Sequence, residues 1–263
     1  MNKPYVGVTG AASKSEVENI TNSFEQNSFS MQDPIIPMIG VLISYKTIDI
    51  GFNPGNRRYP SSYEVSKILE SSRNKAFNTI HFNTKRPEML SRDIGFIMNV
   101  DNIYDRKLCH GIQYNVAWPP LEEIDKIKSE YPSLKMILQL SGKAIRDIGT
   151  EEIVKKTKEY NTDYVLIDLS GGRGMPLNMK YSSFLFNRLK DSGIGATIGF
   201  AGGLSGKNAE NVIKKLRNAV GNEPFSIDAE GNLRDKLSDK HGDDVMNPEK
   251  MNSYIEAAAR GFS

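Results

Sequence analysis

The sequence predicts a single (β/α)8 TIM barrel over residues 1–263, and three observations support this fold class. The chain has 263 residues, close to the ~250 residues of a typical α/β barrel. Short apolar runs alternate with longer segments of helical periodicity, which is the pattern of βα units around a parallel sheet. Eight such runs can be counted. An open, doubly wound sheet remains the alternative, because a count of strands does not prove closure.

The predicted strands are rich in β-branched and aromatic residues, as in the stretches VLIDLS and ATIGFA. Such residues fit a pleated, buried surface. In chain order, the strands are predicted at 4–10, 37–45, 77–84, 110–116, 135–141, 163–170, 195–203 and 225–231.

The segments between the strands carry helix signals. Residues 13–26 begin with serine and an acid, 61–74 begin with a similar capping pattern, and 120–132 have proline early and again after the end. Further helices are predicted at 150–160, 181–193, 206–220 and 247–261. Long loops are predicted at 46–60, 85–109 and 232–247, and the second of these must also hold the third helix.

Composition excludes several classes of protein. The 34 basic and 32 acidic residues give a net charge of +2, so nucleic acid is not an expected partner. No run of eighteen apolar residues and no secretory signal is visible, so no membrane partner is expected. Cys109 is the only cysteine, which predicts no internal disulfide and a cytoplasmic location. No cofactor or resident metal is predicted, and monomer and homodimer both stay open.

Polar residues lie where the predicted strands end, and in a parallel barrel the working residues lie at these carboxyl ends. Period-two alternation places His81 with Asn83, and Gln113 with Asn115, on the inner side of their strands. They form either a structural polar layer or a ligand site. The residues at the strand ends are Thr9, Ser44, His81, Asn83, Gln113, Asn115, Gln139, Ser141, Asp168, Gly202, Gly203, Asp228 and Glu230.

Two glycine clusters follow strands six and seven. Asp168 is followed by SGGRG, which contains Gly171, Gly172 and Arg173. Glycines beside a carboxylate allow backbone to approach a ligand, although an aspartate capping its own loop is the alternative. Gly202 and Gly203 precede a helix start, a pattern that can cradle phosphate. Barrel phosphate sites commonly begin on this strand.

These motifs, taken in order, resemble the phosphoribosylanthranilate isomerase family, enzymes of tryptophan biosynthesis in the ribulose-phosphate-binding barrel group. The resemblance runs from the first strand to the last helix and rests on several motifs in register. The matching stretches are VTGAASKSEVE, NRRYPSSYEVSKIL, IHFNT, GIQYNV, VLIDLSGGRGMPLN and FAGGLSGKNAENV.

The resemblance implies an Amadori isomerisation of a phosphorylated sugar adduct, with Asp168 as general acid. It places Arg58 on the substrate-binding arginine and completes the phosphate site with the end of strand eight, at Asp228, Ala229 and Glu230. Thr9 stands where the family has its catalytic cysteine. A threonine hydroxyl does not ionise as a thiol does, so a working enzyme needs another base, such as His81 or Asp228.

Two alternatives remain for a chain whose site departs from the family. One is an epimerase or aldolase acting on another phosphorylated sugar, in its sharpest form with a metal held by His81, Asp168, Asp228 and Glu230. The other is a barrel that binds a ligand without converting it.

Overall fold

The computed structural model describes residues 2–170 and 175–263, which form a closed barrel of eight parallel strands. Each strand pairs with the next in the chain, and β1 pairs with β8. This pairing confirms the predicted barrel and excludes the open sheet. The strands are β1 (Tyr5–Thr9), β2 (Ile36–Ser44), β3 (Phe77–Asn83), β4 (Gly111–Tyr114), β5 (Lys135–Ser141), β6 (Tyr164–Asp168), β7 (Thr197–Ala201) and β8 (Phe225–Ala229).

Helices surround the barrel and contribute one apolar face each to the layer between sheet and helices. At α1, Ser13 accepts a hydrogen bond from the Glu16 N–H, as the serine-acid signal predicts. The helices are α1 (Lys14–Gln26), α2 (Tyr45–Ile50), α3 (Val65–Ser71), α4 (Leu90–Asn99), α5 (Leu121–Glu130), α6 (Gly142–Ile145), α7 (Thr150–Tyr160), α8 (Met179–Asp191), α9 (Ala209–Val220) and α10 (Pro248–Phe262).

The segments predicted as long loops contain regular structure. The 46–60 segment begins inside α2, which Ser44 and Thr47 start with a reciprocal capping box. The 85–109 segment holds α4 between 3-10 turns. The 232–247 segment forms an antiparallel hairpin of β9 (Arg234–Lys236) and β10 (Asp244–Met246). Helix α4 is the third helix that the sequence predicts for 85–109, whereas α2 and the hairpin correct the predicted loops at 46–60 and 232–247.

Inside the barrel, the amino-terminal half is apolar. The rings of Tyr5, Phe77 and Tyr164 lie with their centroids 5.4–6.3 Å apart. They belong to a cluster that is separate from the sheet–helix core. This cluster fills the lower half of the barrel, so the interior is open to ligands at the carboxyl end of the strands.

Two strand glycines make room for the polar layer above this cluster. A Cβ atom on Gly40 would lie 2.7 Å from His81 Nε2 and 2.7 Å from Thr9 Oγ1. A Cβ atom on Gly7 would lie 2.6 Å from Asp228 Oδ1. Glycine at these positions leaves the interior volume that the three polar side chains occupy.

Among the described residues, no helix combines the length and the apolar character that crossing a bilayer requires.

Replacing Gly40 with alanine should destabilise the fold, because the new methyl group would overlap His81 and Thr9. Overpacking of this kind costs about 1–3 kcal/mol of unfolding free energy. The matched control is Gly195→Ala, where a Cβ meets nothing within 4 Å and the change should stay within ~0.5 kcal/mol. Urea unfolding measures both, and equal stabilities would contradict the packing described here.

Candidate functional site at the carboxyl end of the barrel

A polar cavity of about 180 Å³ lies at the carboxyl ends of the strands. Most of the residues predicted for the site line it. They are Arg58, His81, Asn83, Gln113, Asn115, Asp168, Gly202, Gly203, Asp228, Ala229 and Glu230. Thr9 does not line it, and the predicted substrate-binding residues Gly171, Gly172 and Arg173 lie outside the described residues.

Several lining residues were missed because they come from loops, where no strand periodicity marks them. Asn56 and Tyr59 reach the cavity from the segment after α2, and Asn232 and His241 reach it from the β9–β10 region. Ser170 follows Asp168 directly. The sequence signal for Asn56, Tyr59 and Ser170 was proximity to Arg58 or Asp168, and no such signal marks Asn232 or His241.

Asp168 and Asp228 occupy one row across three strands. Asp168 pairs in register with Ala201, and Ala201 pairs with Asp228. Residues in register on parallel strands point to the same side, and two strand spacings of ~4.8 Å place the two aspartate backbones about 10 Å apart. The short side chain of Ala201 separates them, so both carboxyl groups face one cavity.

The Asp228 carboxyl group is buried, and the Thr9 hydroxyl donates to both its oxygens, at 2.8 and 3.0 Å. Burial raises the pKa of Asp228 to about 8, against the effect of the Thr9 hydrogen bond. The charges of Glu230 and Asp168 act in the same direction as burial. At neutral pH Asp228 is therefore mainly protonated. Thr9, which does not line the cavity, holds the Asp228 carboxyl group by hydrogen bonds.

Asp168 has a different environment. Its Oδ1 accepts from the Ser170 N–H at 3.0 Å and from the Ser170 hydroxyl at 2.7 Å. Its Oδ2 accepts from the Gln139 amide at 2.8 Å. Within the described residues, backbone and side-chain donors from β5 and from the residue pair after β6 thus hold both of its oxygens. The two aspartates thus differ in their hydrogen-bond surroundings.

His81 is buried, and desolvation lowers its pKa to about 3. Its Nε2 lies 3.1 Å from the Thr79 hydroxyl. The imidazole is therefore neutral at physiological pH and is a weak base. Within the described residues, no three His, Cys, Asp or Glu side chains are placed to hold a metal ion, so the geometry does not support the metal site considered for His81, Asp168, Asp228 and Glu230.

A buried network of ion pairs closes one side of the cavity. Arg58 donates to Asp244 through Nε at 3.0 Å and Nη2 at 2.6 Å, and to Glu230 through Nη1 at 2.5 Å. Arg234 donates to Asp244 at 2.5 Å and to the Gly10 carbonyl at 3.0 Å. Two guanidinium groups thus balance two carboxylates and tie the hairpin to the barrel.

The network determines the charge at the end of β8. Burial raises the pKa of Glu230, and the Arg58 guanidinium opposes that shift. Burial also acts to raise the pKa of Asp244, but hydrogen bonds from Arg58 and Arg234 outweigh it, and the pKa is lowered. Arg58, predicted to bind substrate, directs Nε, Nη1 and Nη2 at carboxylates of this chain.

At the end of β7, the cavity is lined by the backbone of two glycines and not by charged side chains. Gly202 and Gly203 have φ values of +122° and +64°, a region that favours glycine. A Cβ atom on Gly203 would lie 2.7 Å from the Met175 carbonyl oxygen. The two glycines are therefore required by the turn itself, independently of any ligand.

A closed parallel barrel with a polar cavity at its carboxyl end defines the TIM-barrel class. No protein-family model and no curated protein sequence matches the chain. Among solved structures, it is similar to phosphoribosyl anthranilate isomerase from Thermus thermophilus, with a TM-score of 0.61 and 16% identity, covering 97% of this chain and 98% of that one. The enzyme from Thermotoga maritima gives a TM-score of 0.59, 14% identity and coverage of 97% and 98%.

A third similar structure is KGPDC from Streptococcus mutans, with a TM-score of 0.55, 9% identity and full coverage of both chains. At these identities the likeness concerns the fold alone. It confirms, at that level, the resemblance to phosphoribosylanthranilate isomerases that the sequence motifs predict. The likeness extends over nearly the whole chain.

Changing Asp244 to asparagine should strongly destabilise the protein, because two buried arginines would lose their shared carboxylate. Removing one partner of a buried ion pair costs about 3–5 kcal/mol. The matched control is Asp243→Asn, whose partner Arg57 has a 66% exposed side chain and whose loss should cost under about 1 kcal/mol. Equal unfolding midpoints for the two variants in urea would contradict the structural role of the network.

Asp228 should make the protein less stable as pH rises. The folded state keeps a proton up to about pH 8, whereas an unfolded aspartate releases it near pH ~3.9. Between these values, raising the pH favours unfolding by up to ~1.4 kcal/mol per pH unit. Asp228→Asn removes this component, so its stability relative to wild type should increase from pH 5 to 8 and then level off. Urea unfolding across pH 5–9 tests this, and parallel curves would refute it.

Proposed function

We propose that this chain is a phosphosugar isomerase of the phosphoribosylanthranilate isomerase kind, catalysing an Amadori rearrangement with Asp168 and Asp228. The observation that carries the proposal is the placement of these two carboxyl groups on either side of Ala201, facing one cavity. Their surroundings differ, since burial raises the pKa of Asp228 and Asp168 is held by hydrogen bonds from Gln139 and Ser170, and two carboxyl groups in different surroundings can divide the acid and base roles. The barrel that carries these two carboxyl groups has the same fold as phosphoribosyl anthranilate isomerases of known structure.

The surroundings support Asp228 as the acid and Asp168 as the base. Asp228 is mainly protonated at neutral pH, because burial raises its pKa to about 8. Asp168 accepts hydrogen bonds from Gln139 and from Ser170, among the described residues, and lies across Ala201 from this acid. This assignment reverses the role that the sequence resemblance implies for Asp168. It also needs no thiol at position 9, since the Thr9 hydroxyl holds the Asp228 carboxyl group in place.

The proposed steps balance without an external oxidant or reductant. Asp228 gives its proton to the ring oxygen of the sugar as the bond from that oxygen to carbon 1 breaks and an iminium forms. Asp168 removes the proton on carbon 2, which yields an enolamine. Asp168 then returns its proton to carbon 1, while Asp228 takes the hydroxyl proton at carbon 2, and a ketone forms.

The phosphate of the substrate is proposed to lie at the Gly202–Gly203 end of the cavity. Backbone N–H groups in a glycine turn suit an anion. The end of β8 is less suited, because Glu230 is there, although its charge is balanced by Arg58. A protonated Asp228 adds no repulsion at this position.

A second candidate is a barrel that binds a phosphorylated sugar without converting it. The ion pairs of Arg58 with Asp244 and Glu230 favour this candidate. Arg58 is the arginine that the sequence resemblance assigns to substrate binding, and here carboxylates of the protein itself hold its guanidinium group. A measurement of substrate turnover distinguishes the isomerase from the barrel that only binds.

The purified protein should convert N-(5′-phosphoribosyl)anthranilate, and Asp168→Asn and Asp228→Asn should each lower kcat/KM by at least ~100-fold, the scale of acid–base catalysis. Activity should fall as pH rises through about 8, where Asp228 loses its proton. Asp191→Asn, at the far end of α8, is the matched control and should retain wild-type rates.

Complementation of a tryptophan auxotroph lacking this isomerase provides the cellular counterpart. Growth together with measured turnover supports the isomerase. Phosphosugar binding without turnover or growth would replace it with the non-catalytic candidate. Activity that rises toward pH 8 would instead make Asp228 the base.

A further inference from the structure

Four of the large apolar side chains that are most exposed in the described part of the chain lie together on one side of the barrel. They are Ile50, Phe52, Tyr63 and Phe96, which are 55%, 52%, 79% and 47% exposed. Single exposed apolar residues are ordinary on protein surfaces, whereas a contiguous group marks an interaction surface. We call this group the α2–α4 patch. The four side chains are not among the residues that line the cavity described above.

The loop after α2 brings the first part of the patch together. The Ser62 N–H donates to the Gly51 carbonyl at 2.9 Å. A Cβ atom on Gly51 would lie 3.8 Å from the Tyr63 ring. The ring of Tyr63 therefore lies beside the backbone that carries Ile50 and Phe52, and these three apolar side chains form one surface.

An apolar groove joins this surface to α4. The walls of the groove include Ile48 of α2, Ser62 before α3 and Phe96 of α4. Ser62 precedes Tyr63 in the chain, so the groove extends from the exposed tyrosine to the exposed phenylalanine. The patch is therefore continuous from α2, past the start of α3, to α4.

The exposed area of the patch meets the size that a two-fold dimer needs. An aromatic side chain presents ~200 Å², so the exposed fractions of the three rings correspond to about 350 Å² in one copy. A contact between two copies buries about 700 Å² of these rings, and homodimer interfaces are about 65% apolar. The whole contact then buries about 1,100 Å², above the ~1,000 Å² that a specific interface requires. Ile50 adds to this area.

The charges around the patch also fit a second copy of the chain. Residues 50–56 contain no ionisable side chain, and Asp49 pairs with Arg86 at 2.8 Å. Glu64 and Lys67, both exposed, lie at the start of α3, so one acid and one base border the patch at the same edge. A partner that carries a single sign of charge would be repelled by one of them. Under two-fold symmetry, each of the two can face the other.

We propose that the α2–α4 patch is a two-fold interface between two copies of this chain. The exposed rings of each copy cover the groove of the other. Glu64 of each copy lies opposite Lys67 of the other, at the rim of the contact. The proposal goes beyond the isomerase function and does not depend on it, because the patch and the cavity share none of the four apolar side chains.

Sedimentation equilibrium tests the proposal at protein concentrations up to about 100 µM, above the micromolar Kd of a weak interface. The wild type should form a dimer whose fraction rises with concentration. Tyr63→Asp and Phe96→Asp should each raise the dimer Kd at least ~10-fold, because a charge would then be buried in an apolar contact. Phe184→Asp is the matched control, since Phe184 lies on α8 and is 49% exposed, and this variant should keep the wild-type Kd.

Urea unfolding shows whether the variants fold. Tyr63→Asp keeps the test decisive even where Phe96→Asp unfolds, because Tyr63 is the most exposed of the four and an acid just before α3 is favourable for the helix. A wild type that stays monomeric throughout, including one that binds a different protein through the patch, would overturn the proposal. A dimer that Tyr63→Asp leaves unchanged, or one that Phe184→Asp dissociates equally, would overturn it as well.

Discussion

Ionisable side chains buried inside a closed barrel must be neutral, ion-paired or hydrogen-bonded, and this requirement organises the carboxyl end of the molecule. Moving an unpaired charge out of water costs several kcal/mol. His81 and Asp228 meet the requirement by staying uncharged at neutral pH. Glu230 and Asp244 meet it through Arg58 and Arg234. The cavity therefore contains several titratable groups with little net charge.

The hairpin of β9 and β10 is the element that makes this balance possible. It supplies both Asp244 and Arg234, and it lies against the segment after α2, where the Arg57 N–H donates to the Gly242 carbonyl. A Cβ atom on Gly242 would come within 2.3–2.5 Å of the Asn56 side chain, so the two segments are in close contact. The hairpin thus supplies ion-paired residues at the cavity and also packs against the segment after α2 that forms part of the cavity wall.

The barrel and its inward polar residues could be predicted because both follow from local periodicity. A two-residue repeat identifies His81, Gln113 and Asp228 as inward-facing once the strands are recognised. The ion-pair network could not be predicted, since Arg58 and Asp244 are 186 positions apart and only the folded hairpin brings them together. Helix α2 was missed because its start depends on capping by Ser44 and Thr47, with no apolar repeat to mark it.

The sequence resemblance implies a cysteine at the position of Thr9, and the structure connects Thr9 to Asp228 by hydrogen bonds. A cysteine acts through its own ionisation near neutral pH, whereas an aspartate reaches that range only when burial raises its pKa. The closed barrel provides the burial, Gly7 leaves the space, and the Thr9 hydroxyl holds the carboxyl group from below. In the proposed mechanism, the proton-transfer group at this end of the cavity therefore lies on β8, next to the ion pairs of Arg58 and Arg234 with Glu230 and Asp244.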